Sequence, residues 1–281
     1  MTRSPRLVPL RALSLGLGIL PPGCGQSAVA RLVTRRRWGR QFVTRQRLRT
    51  GAAVELDLGD PPQSVAFVTR RYEPDMITAI SRLLPDRGIL FDVGANIGLI
   101  TFSVAAIRPE VSIHAFEPDP SNAERWRRNH KLNPDARAAL EPTALGASAG
   151  AVSMVRGHEA GWTHVGPAVG SATPMAEMTT LDSYVDERGI STVDVLKLDV
   201  EGYELFALRG GQELLDRHRI GAIVCELNDP LLARYGVKRA DVISFLAGYG
   251  YSPNLIPHTG ARRFRRAETL ETSGDLVFMR R

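Results

Sequence analysis

The sequence predicts a doubly wound α/β fold with a mostly parallel sheet, on the basis of three observations. Short apolar runs alternate with segments whose apolar residues recur at helical spacing, as in repeated strand–helix units. The clearest runs, 89–93, 193–198 and 220–226, are predominantly apolar, as expected of strands buried on both faces. The first of them enters a glycine-containing turn that opens a helix. These features favour a sheet covered by helices on both faces.

The individual elements follow from local patterns along the chain. The predicted strands, which are short apolar runs, are 53–58, 64–69, 89–93, 111–116, 138–145, 193–198, 220–226, 251–256 and 275–279. The predicted helices, which show helical apolar spacing, are 73–84, 99–107, 119–132, 179–188, 204–215 and 230–249. Pro142 makes 138–145 a poor strand. Residues 146–178, rich in Gly, Ala, Ser and Pro, are interpreted as a hairpin followed by a loop, where a substrate loop could lie.

Charge divides the chain into two parts. The 281 residues carry a formal net charge of +6, but residues 1–50 contain eleven arginines and no acidic residue, which leaves about −5 for the rest. We therefore expect a basic N-terminal arm over residues 1–50, loosely helical or disordered, and one catalytic domain over residues 51–281. A nucleic-acid enzyme would carry its basic residues around the cleft, so no nucleic-acid partner is expected. Weak contact with a membrane surface or a protein is the role left for the arm.

The two cysteines argue against a disulfide framework or a zinc site. Neither Cys24 nor Cys225 has a Cys or His partner at a metal-binding spacing. A reducing, cytoplasmic location fits this cysteine usage best. Residues 12–20 loosely resemble a secretory signal, but no A-x-A-like site follows directly, and no stretch reaches the roughly 20 apolar residues of a membrane span. Cys225 lies in an apolar run and is interpreted as a small buried residue.

The turn at Phe91–Gly98 points to a cofactor. A dinucleotide-binding turn has the pattern G-x-G-x-x-G, whose middle glycine lets the backbone approach a pyrophosphate. Asn96 stands at that place in this chain. S-adenosylmethionine has no pyrophosphate, so this close approach is not required. Gly94 and Gly98 are enough to let the turn run past its methionine portion and to let the helix pack. The turn therefore favours S-adenosylmethionine over a nicotinamide cofactor, although alone it would also fit an ordinary strand–helix connection.

A carboxylate follows the next predicted strand and strengthens this interpretation. Glu117 lies twenty-three residues after Gly94, directly after the run 111–116. A carboxylate at that place can accept hydrogen bonds from both ribose hydroxyls of a nucleoside. The alternative is a solvent-facing Glu that favours the start of the following helix.

With these features in view, the chain resembles the FkbM family of methyltransferases. The resemblance covers roughly residues 70–250 and leaves out residues 1–50. The segments that carry it are Tyr72-Glu73-Pro74, Phe91 to Gly98, Phe116-Glu117-Pro118, Asn129 to Asn133, Thr180-Leu181-Asp182 and Leu196-Lys197-Leu198-Asp199-Val200-Glu201-Gly202-Tyr203-Glu204. The Asp-Val-Glu-Gly-Tyr-Glu part is the most distinctive, because no general requirement of the fold dictates it.

The resemblance implies a class I, Rossmann-like methyltransferase domain. Its seven-stranded sheet would have the order 3-2-1-4-5-7-6, and the methyl group would go to an oxygen. The implied cofactor-binding residues are Asp92, Gly94, Asn96 and Gly98 around the methionine portion, Glu117 at the ribose and Ala144 near the adenine, with Glu73 and Pro118 as further members.

Methyl transfer to a hydroxyl needs a group that removes a proton, and Asp199 is the first candidate. It falls at the carboxyl end of the strand 193–198, where open α/β sheets bind ligands. Since a sulfonium is already a good methyl donor, the protein has to align the acceptor oxygen in line and take up its proton. The other candidates are Glu201, His158 and His164.

Structural roles compete with these assignments. Asp199 could cap a helix that begins near Gly202, and Glu201 and Glu204 could favour the N-terminus of that helix. A carboxylate metal site from Asp199, Glu201 and Glu226 is conceivable, but no metal is expected.

The leading hypothesis is an O-methyltransferase that acts on a hydroxyl of a sugar, polyketide or similar small molecule or glycan. The alternative enzymes are an N-methyltransferase and a nicotinamide-dependent enzyme. A third hypothesis is a non-catalytic cofactor-binding module that anchors a partner through its basic arm.

Overall fold

A computed structural model describes residues 42–156, 163–166, 175–257, 264–267 and 274–280. Strands and helices alternate along most of this chain. In chain order they are β1 (Val43–Arg47), β2 (Ala53–Asp57), α1 (Pro61–Thr69), α2 (Pro74–Leu83), β3 (Ile89–Val93), α3 (Leu99–Ile107), β4 (Ser112–Phe116), α4 (Pro120–Leu132), β5 (Ala138–Glu141), β6 (Ala144–Leu145), β7 (Gly150–Arg156), β8 (Thr163–Gly166), β9 (Met175–Thr179), α5 (Leu181–Glu187), β10 (Val193–Leu198), α6 (Glu204–Arg209), α7 (Gln212–Asp216), β11 (Ile220–Cys225), α8 (Asp229–Ala233), α9 (Arg239–Gly248), β12 (Tyr251–Leu255), β13 (Arg265–Arg266) and β14 (Leu276–Arg280).

The main sheet confirms the predicted fold class. Its strand order is β13-β12-β14-β11-β10-β3-β4-β5. The strands from β11 to β5 pair in parallel, and β14, β12 and β13 join in antiparallel orientation. Without the two-residue strand β13, this order is the 3-2-1-4-5-7-6 arrangement that the resemblance implies.

Burial explains why the central strands are so apolar. Helices pack on both faces of β3 and β10, and nearly every residue of the two strands is buried. Three residues of these strands are charged: Asp92 in β3 and Lys197 in β10 are buried, and Asp194 in β10 is partly exposed. Cys225, at the end of β11, is fully buried as predicted.

Residues 43–50 belong to the folded domain rather than to a loose arm. β1 pairs with β2 in an antiparallel hairpin, and Leu48, directly after β1, is buried. The predicted boundary at residue 50 therefore falls too late, because Leu48 packs with Val54 and Leu56 of β2 in the core. The arm prediction for residues 1–41 lies outside the described residues.

An asparagine in α4 holds this hairpin against the rest of the domain. The side-chain carbonyl of Asn129 accepts the backbone N–H of Glu55 at 2.7 Å, and its NH₂ group donates to the carbonyl of Ile97 at 2.8 Å. Asn133, one turn later, accepts the N–H of Ala53 at 3.0 Å. The fully buried Asn129 thus connects β2 to the turn before α3.

The segment after β2 differs from the sequence prediction. A strand is predicted at 64–69, but these residues lie in helix α1. Asp60 caps the helix, because its side chain accepts the backbone N–H of Gln63 at 3.0 Å. Pro61-Pro62 occupies the first helical positions, where a backbone N–H would have no partner within the helix, so its absence costs no hydrogen bond. The apolar run at 66–68, which suggested a strand, packs into the core as one side of the helix.

The predicted strand 138–145 is also interrupted. Pro142 separates β5 from β6, and β6 leaves the main sheet to pair with β9. A second sheet then forms in the order β6-β9-β7-β8. Its β7–β8 hairpin confirms the predicted hairpin, whereas β9 lies where the sequence suggested a loop.

Glycines divide two predicted helices. The segment 204–215 forms α6 and α7, with a break at Gly210-Gly211. A Cβ on Gly210 would lie 2.0 Å from the backbone oxygen of Gly146, so only glycine allows these segments to pass so closely. The segment 230–249 forms α8 and α9, and Gly236 between them has a left-handed φ of 69°.

The role of Asn129 can be tested by its replacement with alanine. The substitution leaves the buried N–H of Glu55 and the carbonyl of Ile97 without their partner, so we expect a loss of about 2–4 kcal/mol in the free energy of unfolding. Urea denaturation measures this value. Glu124→Ala on the exposed side of the same helix is the matched control and should change it by less than about 0.5 kcal/mol. An Asn129→Ala protein as stable as the control would show that Asn129 does not hold the hairpin.

Candidate active site

A cavity of about 230 Å³ lies at the carboxyl ends of β3, β4 and β10. Open α/β sheets bind ligands at this edge. The structure brings nine of the eleven predicted site residues together around it. They are Glu73, Gly94, Asn96, Glu117, Pro118, Ala144, His164, Asp199 and Glu201. The other two, Asp92 and Gly98, are not among the lining residues and support the wall from behind.

The glycines of the turn after β3 are required by close packing. Gly94 has a φ of 76°, and a Cβ there would lie 1.8 Å from the backbone oxygen of Asp199. Gly98 has a φ of 85°, and a Cβ there would lie 2.4 Å from the ring of Phe102 and 2.7 Å from that of Trp126. Gly98 therefore serves the packing of α3 and is not among the residues that line the cavity, so its place near a methionine portion stays a prediction.

Glu117 is fixed at the end of β4 by backbone hydrogen bonds. Its Oε2 accepts the N–H of Asn96 at 2.8 Å, and its Oε1 accepts the N–H of Asp119 at 2.9 Å. Burial raises the pKa of Glu117 to about 7, although these hydrogen bonds act in the opposite direction. The side chain of Asn122 also donates to this carboxylate, whose remaining lone pair can still accept a hydrogen bond from a ligand.

Lys197 is a site residue that the sequence analysis missed. Its amine lies 3.1 Å from Oδ1 of Asp92 and 3.5 Å from Oδ2 of Asp199, and it donates to the backbone oxygen of Gly94 at 3.0 Å. Burial alone would lower the pKa of Lys197, but the carboxylates of Asp92 and Asp199 raise it above its ordinary value. The lone lysine in the apolar run 193–198 was the available signal, since a buried amine needs a carboxylate partner.

Asp92 supports the wall of the cavity from behind, because both oxygens of its carboxylate face neighbouring side chains. Its Oδ1 faces Lys197, and its Oδ2 accepts the hydroxyl of Thr101 at 2.6 Å. Its side chain is fully buried as a result. Asp92 thus anchors the amine beneath the cavity, and its place near a methionine portion stays a prediction.

Four further carboxyl groups surround Asp199. They are Glu73, Glu201, Glu226 and Asp275, and all of them line the cavity. Burial, followed by the charge of Asp199, raises the pKa of Glu73 and Glu201 to about 7 and that of Asp275 to about 6. Burial and Asp199 also raise the pKa of Glu226 far above its ordinary value. Among the residues with described positions, no three His, Cys, Asp or Glu side chains are arranged to hold a metal ion.

Asp275 is a second residue that the sequence analysis did not propose for the site. It precedes the last strand, β14, some 75 residues after Asp199, and antiparallel insertion of β14 beside β11 brings it to the cavity. No local pattern marks this approach, because it depends on pairing between distant strands.

The turn after β10 is organised by Glu204. Its Oε1 accepts the backbone N–H of Val200 at 3.0 Å and that of Gly202 at 3.1 Å. Helix α6 begins at Glu204 with Tyr203 as N-cap and without a capping side chain. The alternative that Asp199 caps this helix is therefore wrong. The carboxylate of Glu204 fills that role from within the first turn.

This turn directs Glu201 toward the cavity through an uncommon backbone conformation. Glu201 has a left-handed φ of 58°, and Gly202 follows with a φ of 100°. A Cβ on Gly202 would lie 2.3 Å from the backbone oxygen of Leu231, so α8 packs directly on the turn. Strained conformations of this kind concentrate at functional sites.

The second sheet supplies another wall of the cavity. His164 and Val165 of β8 line it, and the hydroxyl of Tyr235 donates to the backbone oxygen of Val165. Burial and the charge of Arg234 lower the pKa of His164, so its imidazole is neutral at neutral pH. His158, the other predicted histidine, lies outside the described residues.

Comparison with known families identifies the chain as a methyltransferase. A model of the methyltransferase FkbM domain matches residues 92–253, more than half of the chain. The chain belongs to the FkbM methyltransferase family. S-adenosylmethionine is its methyl donor, so the predicted family and cofactor are confirmed and a nicotinamide cofactor is set aside.

Three curated relatives share part of the sequence. The 31-O-demethyl-FK506 methyltransferase FkbM of Streptomyces tacrolimicus is 28% identical over 197 residues, which cover 58% of this chain and 72% of that protein. The hexuronic acid methyltransferase AglP of Haloferax volcanii is 30% identical over 153 residues, covering 53% of this chain and 62% of that protein. The 2-O-methyltransferase NoeI of Sinorhizobium fredii is 26% identical over 148 residues, covering 47% and 60%.

Among the helices that the structure describes, none combines the length and the apolar character needed to cross a bilayer. The cytoplasmic location expected from the two cysteines stays a prediction.

Proposed function

We propose that this FkbM-family methyltransferase transfers the methyl group to a hydroxyl oxygen of a sugar, a polyketide or a similar small molecule or glycan. The main observation behind the proposal is the position of Asp199. Its side chain is 27% exposed and lines the cavity at the carboxyl end of β10, next to several other carboxyl groups. Two of the relatives are named for methylation at oxygen, and one is named for a hexuronic acid.

The cavity residues suit the proposed cofactor-binding roles. S-adenosylmethionine, when bound, supplies an activated methyl group on a positively charged sulfur. Acidic side chains around Asp199 suit a ligand with a sulfonium and an ammonium group, because opposite charges attract strongly in a cavity shielded from water. Glu117 is proposed to accept the ribose hydroxyls, and Ala144 and Pro118 to lie near the adenine.

Asp199 is proposed to orient or deprotonate the acceptor hydroxyl. Lys197 holds one of its oxygens at 3.5 Å, so the carboxylate has a defined direction. Glu201 and His164 are the alternative bases. The pKa of Glu201, raised to about 7 by burial and Asp199, is near the value at which a general base works best at neutral pH.

A role for the basic arm in contact with a membrane surface or a protein stays a prediction, since residues 1–41 lie outside the described part of the chain.

The ribose assignment predicts that Glu117→Ala weakens S-adenosylmethionine binding by roughly 1.5–3 kcal/mol, because hydrogen bonds to a charged group are lost. Isothermal titration calorimetry measures the affinity, and Glu187→Ala on an exposed helix end is the control. Since the carboxylate is the better acceptor, wild-type affinity should rise as the pH increases through about 7, and Glu117→Gln should weaken this dependence. Equal affinities for Glu117→Ala and wild type would refute the assignment.

The catalytic assignment predicts that Asp199→Asn lowers the rate of methyl transfer by ~10²–10⁴-fold, the usual cost of losing a general base. The amide keeps the size of the side chain, so folding should be preserved. Transfer of a ¹³C-labelled methyl group to a panel of sugars and polyketide alcohols gives the rate. The NMR spectrum of the product separates a methyl ether from an N-methyl group.

Asp186→Asn, on an exposed part of α5, is the matched control and should keep the wild-type rate. If Asp199→Asn is as active as this control, the base has to be sought at Glu201 or His164. A labelled N-methyl product would contradict transfer to oxygen.

A further inference from the structure

Two adjacent strand ends place a second carboxyl group directly beside Asp199. β10 and β11 pair in parallel, with Leu198 opposite Cys225, and the backbone N–H of Glu226 donates to the oxygen of Leu198 at 3.0 Å. Asp199 and Glu226 therefore leave the sheet side by side. Their carboxyl groups face each other, and both line the cavity.

We propose that Glu226 is a positioning residue, whose protonated carboxyl donates a hydrogen bond to Asp199 and holds that carboxylate toward the cavity. The proposal rests on the proposed function, because it concerns the support of Asp199. It assigns a role to Glu226 beyond ending its strand.

The proposed hydrogen bond requires a proton on one of the two carboxyl groups. Two ionised carboxylates have only acceptor oxygens and repel each other, so a contact of this kind forms when one of them is protonated. The cation Lys197 lies 3.5 Å from Asp199 and favours a negative charge there. The proton therefore resides on Glu226.

The surroundings of Glu226 act in the same direction. The charged groups that face the pair come from several elements. They are Glu73 at the start of α2, Lys197 in β10, Glu201 and Glu204 in the turn before and at the start of α6, and Asp275 before β14. The acidic groups and burial raise the pKa of Glu226, so it keeps its proton at neutral pH.

This arrangement gives Asp199 two restraints, one from Lys197 and one from Glu226. Without the proton on Glu226, two negative charges would share the end of the cavity, and Asp199 would turn away from its neighbour. Glutamine can replace the protonated carboxyl, because its NH₂ group donates a hydrogen bond from nearly the same place. Alanine cannot.

Infrared spectroscopy tests the protonation state on the wild-type protein. At about pH 8.5, carboxyl groups with a pKa near 7 are ionised. We expect that the C=O stretching band of one protonated carboxyl, that of Glu226, is still present at this pH. Glu226→Gln should remove the band, and the control Glu201→Gln should keep it. If wild type lacks this band, or Glu226→Gln retains it, the proposal is overturned.

Binding of S-adenosylmethionine tests the positioning role without any acceptor. By calorimetry, Glu226→Gln should bind within about twofold of wild type, whereas Glu226→Ala should bind at least about 5-fold more weakly, because an unrestrained Asp199 no longer faces the positive charge of the ligand. Circular dichroism checks the folding of each variant. If the glutamine variant is folded and as impaired as the alanine variant, or the folded alanine variant binds normally, Glu226 does not position Asp199. Neither measurement involves the acceptor, so these outcomes leave the proposal of O-methylation untouched.

Discussion

The buried pair of Lys197 and Asp92 is the interaction on which the site depends. A charged amine removed from water costs several kcal/mol unless carboxylates and carbonyls surround it. Asp92 faces it from the neighbouring strand at 3.1 Å, and the backbone oxygens of Val93 and Gly94 accept its remaining protons at 3.3 and 3.0 Å. The register of β3 and β10 places the two residues directly opposite each other. One ion pair thus fixes the strand ends and the glycine turn that follows β3.

The effects of this pair extend to both sides of the sheet edge. Below it, Asp92 accepts the hydroxyl of Thr101, which in turn accepts the indole N–H of Trp126 at 3.4 Å. These contacts attach α3 and α4 to the strand that carries the cofactor turn. Above it, Lys197 forms an ion pair with Asp199, and the charge of Asp199 is, after burial, a main cause of the raised pKa of its acidic neighbours. The cavity is therefore an acidic site with a cation buried in its floor, which suits a positively charged methyl donor.

Much of the fold could be predicted from local patterns, because the elements that decide it carry strong ones. The apolar runs of β3, β10 and β11 and the turn with Gly94 determine the parallel sheet, and Glu117 follows its strand where a ribose ligand is expected. The missed features depend on contacts between distant segments. Helix α1 begins with a capping Asp60 and two prolines, and these outweigh an apolar run that suggests a strand. Lys197 and Asp275 become site residues only through the pairing of β3, β10, β11 and β14.

A double-mutant cycle on Lys197 and Asp92 tests the central claim most directly. Urea unfolding would give the free energies of wild type, Lys197→Met, Asp92→Leu and the double variant. Lys197→Met leaves the buried Asp92 without its cation, and Asp92→Leu leaves the buried Lys197 without its nearer carboxylate, so we expect a loss of about 3–5 kcal/mol for each. The loss in the free energy of unfolding for the double variant should be at least about 2 kcal/mol smaller than the sum of the losses for the two single variants. The reason is that the double variant retains neither of the two buried charges. Losses that add to within about 0.5 kcal/mol would contradict the account, since they would show that the two residues do not stabilise one another.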